Sequence, residues 1–285
     1  MQTDMENKRT VFSCEVFPPK RNDALDSIYA TIGELKEIEP DFISVTYGAG
    51  GSENCAKTLA IATAIKDVYG IKSVAHLPCI GLTKEDVLLQ LDAFKAAGIE
   101  NILALRGDEP QNRVLPEGDF EHASDLMEFI RAHGNFHLYG ACYPEGHLQA
   151  PSLAQDVKNL KIKIDAGAEH LLSQLFFDNE KFYRFLDLCE AAGIDVPIEA
   201  GIMPASNKKQ IERMVSICGA SLPKKFVTFM QKYEDRPEAM RDASIAYAVD
   251  QIIDLMAHGV YGIHLYTMNN PYIAKRIHEA IKNLL

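Results

Sequence analysis

The sequence predicts an α/β chain folded as a (β/α)8 TIM barrel, with extra helices between strands seven and eight. Short β-rich runs alternate with helical patterns along the whole 285-residue chain. The runs recur at spacings of about thirty residues, the length of successive βαβ units. Eight such runs can be read, the number that closes a parallel barrel.

In chain order the strand candidates begin with VFSCEVF from Val11, FISVTYG from Phe42, KSVAHLP from Lys72 and NILALRG from Asn101. The second half supplies FHLYGACY from Phe136, HLLSQLFF from His170, VPIEAGIM from Val196 and YGIHLYT from Tyr261. Amphipathic stretches such as DVLLQLDAFKAAG and AQDVKNLKIKIDAG lie between them, each closed by a glycine in the helix-ending position. The long interval before the last strand holds SNKKQIERMVSICG, then PKKFVTFMQKYEDR, then a helix from about Arg241 to Gly259. No Pro/Gly/Ser-rich linker interrupts the pattern, so residues 1–285 are expected to form a single barrel domain.

The segment CEVFPPK, Cys14 to Lys20, sets a carboxylate within an apolar strand. Glu is depleted in strands and costly to bury unpaired. Side chains alternate faces along a strand. Phe12, Cys14 and Val16 therefore pack toward the outer helices, while Val11, Ser13, Glu15 and Phe17 face the interior. Pro18 and Pro19 end the strand and leave Glu15 near the C-terminal mouth, where such barrels carry their active sites. His76, Arg106, Tyr143, Gln174 and Tyr266 fall at other strand ends, with Asp108 just past its own. Each alone reads equally well as a satisfied structural polar group, but their convergence on one end does not.

A net charge of −11 argues against a nucleic-acid partner, yet leaves room for a phosphate held by a few cations. The polar start MQTDMENKRT has no signal-peptide core, and no apolar run reaches membrane-spanning length. A cytoplasmic protein is expected. The six cysteines include no CxxC pair. Cys14, Cys79 and Cys142 fall in strand-like segments and read as buried free thiols, not as a metal site.

Local motifs are mostly negative. GAGGS, Gly48 to Ser52, lacks the strand–GxGxxG–helix spacing of a dinucleotide fold, and there is no P-loop, HExxH or GxSxG. In AQDVKNLKIKID, Val157, Leu160 and Ile164 form an apolar stripe, and Asp156, Asn159 and Lys163 repeat its spacing one position earlier. That second stripe is either a solvated face or a polar strip offered to a nucleotide. The residues alone imply a barrel enzyme with a carboxylate-bearing pocket and a phosphate-containing ligand.

The ordered segments CEVFPPK, SVTYGAGG, HLPC, ALRGD, ASDL, YPEGH, QLFFD, GIMPASN and HLYTMN resemble the methylenetetrahydrofolate reductase family, in its short bacterial form. The resemblance runs from about Val11 to the C-terminus. It implies a (β/α)8 barrel with FAD at the mouth. It also implies reduction of 5,10-methylenetetrahydrofolate to 5-methyltetrahydrofolate by NAD(P)H in two half-reactions, feeding one-carbon metabolism and methionine synthesis. By motif, Glu15 resembles the general acid and Asp108 the carboxylate beside flavin and pterin. The flavin contacts implied are Tyr47, Ala49, His76, Arg106, Gly107, Ala123, Tyr143, His147, Ala150, Asp156, Asn159 and Lys163. Thr46 and Gln174 match positions near nicotinamide and folate, and Gln210 and Tyr266 match further folate contacts. Protonating the leaving nitrogen opens the substrate's five-membered ring, so the acid must hold its proton near neutral pH, a state that desolvation favours.

Four positions depart from that pattern. Asn270 stands where an arginine commonly meets folate, and Met214 where a phenylalanine packs on its aryl ring. Ile162 replaces a basic residue near the flavin phosphates, and Glu199 adds an inward carboxylate on strand seven. NADH is the expected donor, with NADPH or an iron–sulfur partner subunit as alternatives. A flavin- or folate-binding subunit without turnover is the remaining one. A homo-oligomer is expected.

Overall fold

A computed structural model describes residues 9–19, 25–47, 52–108, 116–205 and 207–285. The parallel strands are β1 (Val11–Val16), β2 (Phe42–Val45), β3 (Lys72–Pro78), β4 (Asn101–Leu105), β5 (His137–Cys142), β6 (His170–Ser173), β7 (Ile198–Ile202) and β8 (Gly262–Tyr266). They close in sequence order, β1 pairing with β8, so the sheet has no open edge. The expected (β/α)8 barrel is therefore the fold.

Helices α1 (Leu25–Lys36), α2 (Ser52–Asp67), α3 (Lys84–Ala96), α4 (Ala123–His133), α5 (Leu153–Asp165) and α6 (Asn179–Ala191) alternate with the strands. The glycines read as helix stops take φ of +64° at Gly98 and +121° at Gly167, where a β-carbon is strained. The excursion before β8 contains α7 (Lys208–Cys218), α8 (Lys224–Tyr233) and α9 (Pro237–Ala257), and α10 (Pro271–Ile281) follows β8. The start expected near Arg241 is corrected to Pro237, because proline is well placed in a first helical turn, where no N–H partner is needed.

The parity of β1 holds. Phe12, Cys14 and Val16 are buried in the core between barrel and helices. The interior is divided. One side is filled by Phe42, Val74, Leu103, Tyr139 and Leu172, and the other carries buried Ser13, Ser44, Glu199 and His264. A further apolar cluster joins Leu175, Phe177 and Met203, at the ends of β6 and β7, to Ile211, Phe226, Met230 and Met240 of the excursion. The added helices thus wall one side of the mouth. Cys79 lies just past β3 and not within it, with its thiol toward the carbonyls of Arg106 and His122.

Candidate active site

Strand termination builds the site. After β1 the chain cannot continue pairing, since Pro18 and Pro19 have no N–H. Asn269 satisfies the last free backbone groups. Its Oδ1 accepts from Phe17 N at 3.0 Å and its Nδ2 donates to Phe17 O at 2.8 Å. Thr267 Oγ1 donates to the carbonyl of Glu15 at 2.6 Å. The turn after β8 therefore fixes the end of β1, and Glu15 with it.

Glu15 lines a cavity of about 820 Å³ at the C-terminal ends of the strands. The volume is that of a small-molecule or cofactor site. Asp108 stands at its rim, and Thr46, Tyr47, Gln174 and Tyr266 line it from three other strand ends. His76, Arg106, Gly107, Ala123, Tyr143, His147 and Ala150 line the same cavity. So do Asp156, Asn159 and Lys163, which decides between the two readings of the α5 stripe: it faces the cavity. Ala49 lies outside the described residues. Gln210 lines a smaller neighbouring cavity of about 270 Å³, together with Asn270, and the two cavities share Tyr266 and Met268.

Close approach of backbone explains two glycines here. Gly107 has φ +89°, and a β-carbon there would come within 2.8 Å of Ile80. At Gly201 a β-carbon would lie 2.2 Å from Ser173 O and 2.8 Å from the Tyr266 ring. That room lets Tyr266 reach across β7 and donate to Ser173 O at 2.7 Å.

The wall formed by β3 to α5 is electrically prepared. Burial lowers the Lys163 ammonium, partly offset by Asp156, and the amine donates to Ala141 O at 3.0 Å. Burial likewise raises Asp156, which accepts from His147 N at 3.0 Å. Arg106 Nη1 donates to Gln149 Oε1 at 2.5 Å. His76 is lowered to about 4 by burial, against the pull of Glu15, and so is neutral near pH 7. Its Nε2 lies 3.6 Å from Glu15 Oε2, beyond hydrogen-bond reach, and has no other partner. An orphaned buried nitrogen and two cations around an apolar-walled cavity fit a ligand carrying both phosphates and a heteroaromatic ring.

The departures have definite places. Met214 lines the main cavity, whereas Ile162 is exposed. Asn270 caps α10, its side chain accepting from Ile273 N at 3.3 Å. Glu199 is fully buried and lies within hydrogen-bond distance of Ser13 Oγ and His170 Nε2.

Sequence reasoning missed one cavity residue of consequence. His264 of β8 is fully buried, and its Nε2 lies 3.9 Å from Glu15 Oε2. Its signal was available, because it precedes Tyr266 by two positions in HLYTMN and shares its inward parity.

The family profile described as methylenetetrahydrofolate reductase matches residues 1–282. The chain belongs to the methylenetetrahydrofolate reductase family. It is 36% identical over 265 residues to 5,10-methylenetetrahydrofolate reductase of Pectobacterium carotovorum, covering 93% of this chain and 88% of that one. The enzyme of Escherichia coli K12 matches with the same identity and coverage. Methylenetetrahydrofolate reductase (NADH) 1 of Arabidopsis thaliana is 36% identical over 278 residues, but this chain spans only 47% of it. Among solved structures, an uncharacterized Clostridium thermocellum protein that binds two copies of 5-methyl-5,6,7,8-tetrahydrofolic acid aligns with a TM-score of 0.66. That alignment covers 98% of this chain and 97% of the other at 14% identity, a likeness of fold alone. Among the described residues of this family member, no helix is long and apolar enough to cross a membrane.

Proposed function

We propose that this chain reduces 5,10-methylenetetrahydrofolate to 5-methyltetrahydrofolate, with FAD as cofactor and NADH as the electron donor. The reaction would serve one-carbon metabolism and methionine synthesis in the cytoplasm, carried out by a homo-oligomer. One observation carries the reading: in a member of this family, Glu15, Asp108 and Gln174 share a single cavity with Arg106, Lys163 and His76. The plant relatives whose names specify NADH favour that donor.

Lys163 and Arg106 would hold the cofactor's phosphates, Asp156 and Asn159 its polar groups, and the unpartnered Nε2 of His76 its ring edge. When bound, the flavin supplies a hydride carrier between nicotinamide and folate. The remaining chemistry belongs to the protein. Glu15 gives a proton to the leaving nitrogen of the substrate, which opens the five-membered ring to an iminium. Asp108 stabilises that cation by its charge. Gln174 orients the pterin, and Met214 packs beside the folate's aryl ring.

The test is direct. The purified protein should show a flavin spectrum that bleaches on addition of excess NADH without air and returns when methylenetetrahydrofolate is added. Bleaching only by reduced ferredoxin or a partner subunit would replace NADH as donor. Failure to bind FAD would overturn the reading.

A further inference from the structure

Glu199 is the only fully buried carboxylate among the described residues, and the reaction just proposed does not use it. It enters the barrel interior from β7, opposite Gly262 of β8. A β-carbon at Gly262 would approach Glu199 Cγ within 2.8 Å, so the glycine leaves the room that this side chain takes. Across that gap Glu199 Oε2 meets Ser13 Oγ at 2.5 Å, and Oε1 meets His170 Nε2 at 2.7 Å. Ser13 Oγ also lies 2.7 Å from His264 Nδ1. The other ring nitrogen of His264 is 3.4 Å from Ser44 Oγ and 3.9 Å from Glu15 Oε2.

A hydroxyl has one proton to donate, so with a neutral His264 and three mobile protons this column has two arrangements. In the first, Glu199 is ionised and Ser13 donates to it. Nδ1 of His264 then carries a proton toward Ser13, and Nε2 is a bare acceptor facing a protonated Glu15. In the second, Glu199 is protonated and donates to Ser13, which donates to Nδ1. Nε2 then carries its proton toward an ionised Glu15. Both arrangements hold the same number of protons.

We propose that Glu199 is the proton reservoir of Glu15: both carboxylates carry a proton before the reaction, and the one acidic proton left after Glu15 has donated passes from Glu199 to Glu15 through Ser13 and His264. The inference rests on the reading of Glu15 as proton donor. Once Glu15 has given its proton to the substrate the column stands in the second arrangement, and three protons then move together. The Nε2–H bond of His264 breaks as an O–H bond forms on Glu15. The Ser13 proton moves to Nδ1, and the Glu199 proton moves to Ser13. One negative charge passes from Glu15 to Glu199, and nothing is oxidised or reduced. The 3.9 Å step exceeds hydrogen-bond length and is closed by one bridging water or a small side-chain rotation. Glu199 is recharged through His170, whose side chain is 13% exposed at the opposite end of the barrel from the mouth. Glu15 is thereby resupplied while ligands cover the mouth.

The other groups around Glu15 and the column do not hold that proton: His76, 3.6 Å from Glu15 Oε2, is lowered by burial to about 4, and Tyr266 is raised well above its ordinary value by burial and then by Glu15. Tyr139 and Tyr261 are raised by burial and then by the charge of Glu199, and Cys14 is raised for the same two reasons, so all three stay neutral. Lys72 is bonded to the Tyr139 hydroxyl at 2.9 Å. Phe42 stacks on the His264 ring and shields it.

The experiment measures folate reduction by the reduced holoenzyme against pH, using rapid mixing, in wild type, Glu199→Gln and Ser13→Ala. Both variants are expected to move the alkaline limb about one pH unit lower, a tenfold loss of rate on that limb. Ser13→Ala keeps the charge of Glu199 but cuts the chain. A shift in Glu199→Gln alone would mean that Glu199 acts by charge, and would overturn the relay. Unmoved limbs in both would make Glu199 structural. Should either variant fail to fold, the wild-type rate in mixtures of light and heavy water serves instead: a curved dependence is expected, and a linear one, with a single proton in flight, overturns the proposal. A protein that takes up FAD and NADH electrons but never reduces the folate would instead sink the functional reading on which this rests.

Discussion

The cavity wall from β3 to α5 and the interior column of β7, β8 and β1 are both polar, yet they are polar in different ways. On the wall, Lys163, Arg106, Asp156 and His76 border open cavity volume, and the Nε2 of His76 has no partner. In the column, Glu199, Ser13 and His264 are fully buried and bonded to one another. Unsatisfied groups beside a void await a ligand, because an orphaned polar atom costs free energy until it is paired. Groups already satisfied by one another act on each other. The wall is thus built for binding and the column for moving or holding a proton, and Glu15 stands where they meet.

The largest expected effect tests that junction. Glu15→Gln keeps size and shape but removes the proton, so folate reduction should fall by about 10²- to 10⁴-fold. Reduction of the flavin by NADH should be affected far less, and rapid anaerobic mixing separates the two. Equal slowing of both would assign Glu15 to the wall, as a positioning group.

Next comes the wall itself. Lys163→Met keeps the stem and deletes the charge-assisted contact to a phosphate, a loss of about 10- to 100-fold in FAD affinity by titration of the apoprotein. Unchanged affinity would remove Lys163 from the cofactor site.

His76 links wall and stability. Its folded value of about 4 lies below the ordinary value of 6.5, so the unfolded chain binds more protons between these limits. The stability that its neutral form contributes is complete above pH 6.5 and is lost as the pH falls toward 4. At pH 5 the loss is about 2 kcal/mol. Thermal unfolding of His76→Gln should therefore fall less between pH 7 and pH 5 than that of wild type. Parallel curves would show that burial does not hold the ring neutral.

The smallest effect lies beyond the column, at Asn270. An arginine there gains a fork for a folate carboxylate but loses the cap of α10, which costs about 1 kcal/mol. Asn270→Arg should bind folate more tightly while melting slightly earlier. Weaker binding together with the lower melting point would show that the cap, and not folate, is what this position serves.

Much of this was legible in the residues. Strand alternation placed Glu15, Ser13 and Glu199 inward, and the two prolines set Glu15 at the mouth. The order of β/α units determined the barrel, because parallel strands joined by helices have few ways to close. These are local patterns, carried by neighbours a few positions apart. The facing of the α5 stripe was not legible, since a polar face reads the same toward water as toward a cavity. Nor was the start of α9, where a first-turn proline outweighed the apolar pattern. Only tertiary structure joined Glu199 to Ser13 and His264. In the β1–β8 register Ser13 pairs with His264, while in the β7–β8 register Glu199 pairs with Gly262, two residues lower. Alternation states which way a side chain points, but the stagger between strands, set by closure of the barrel, decides which inward groups meet.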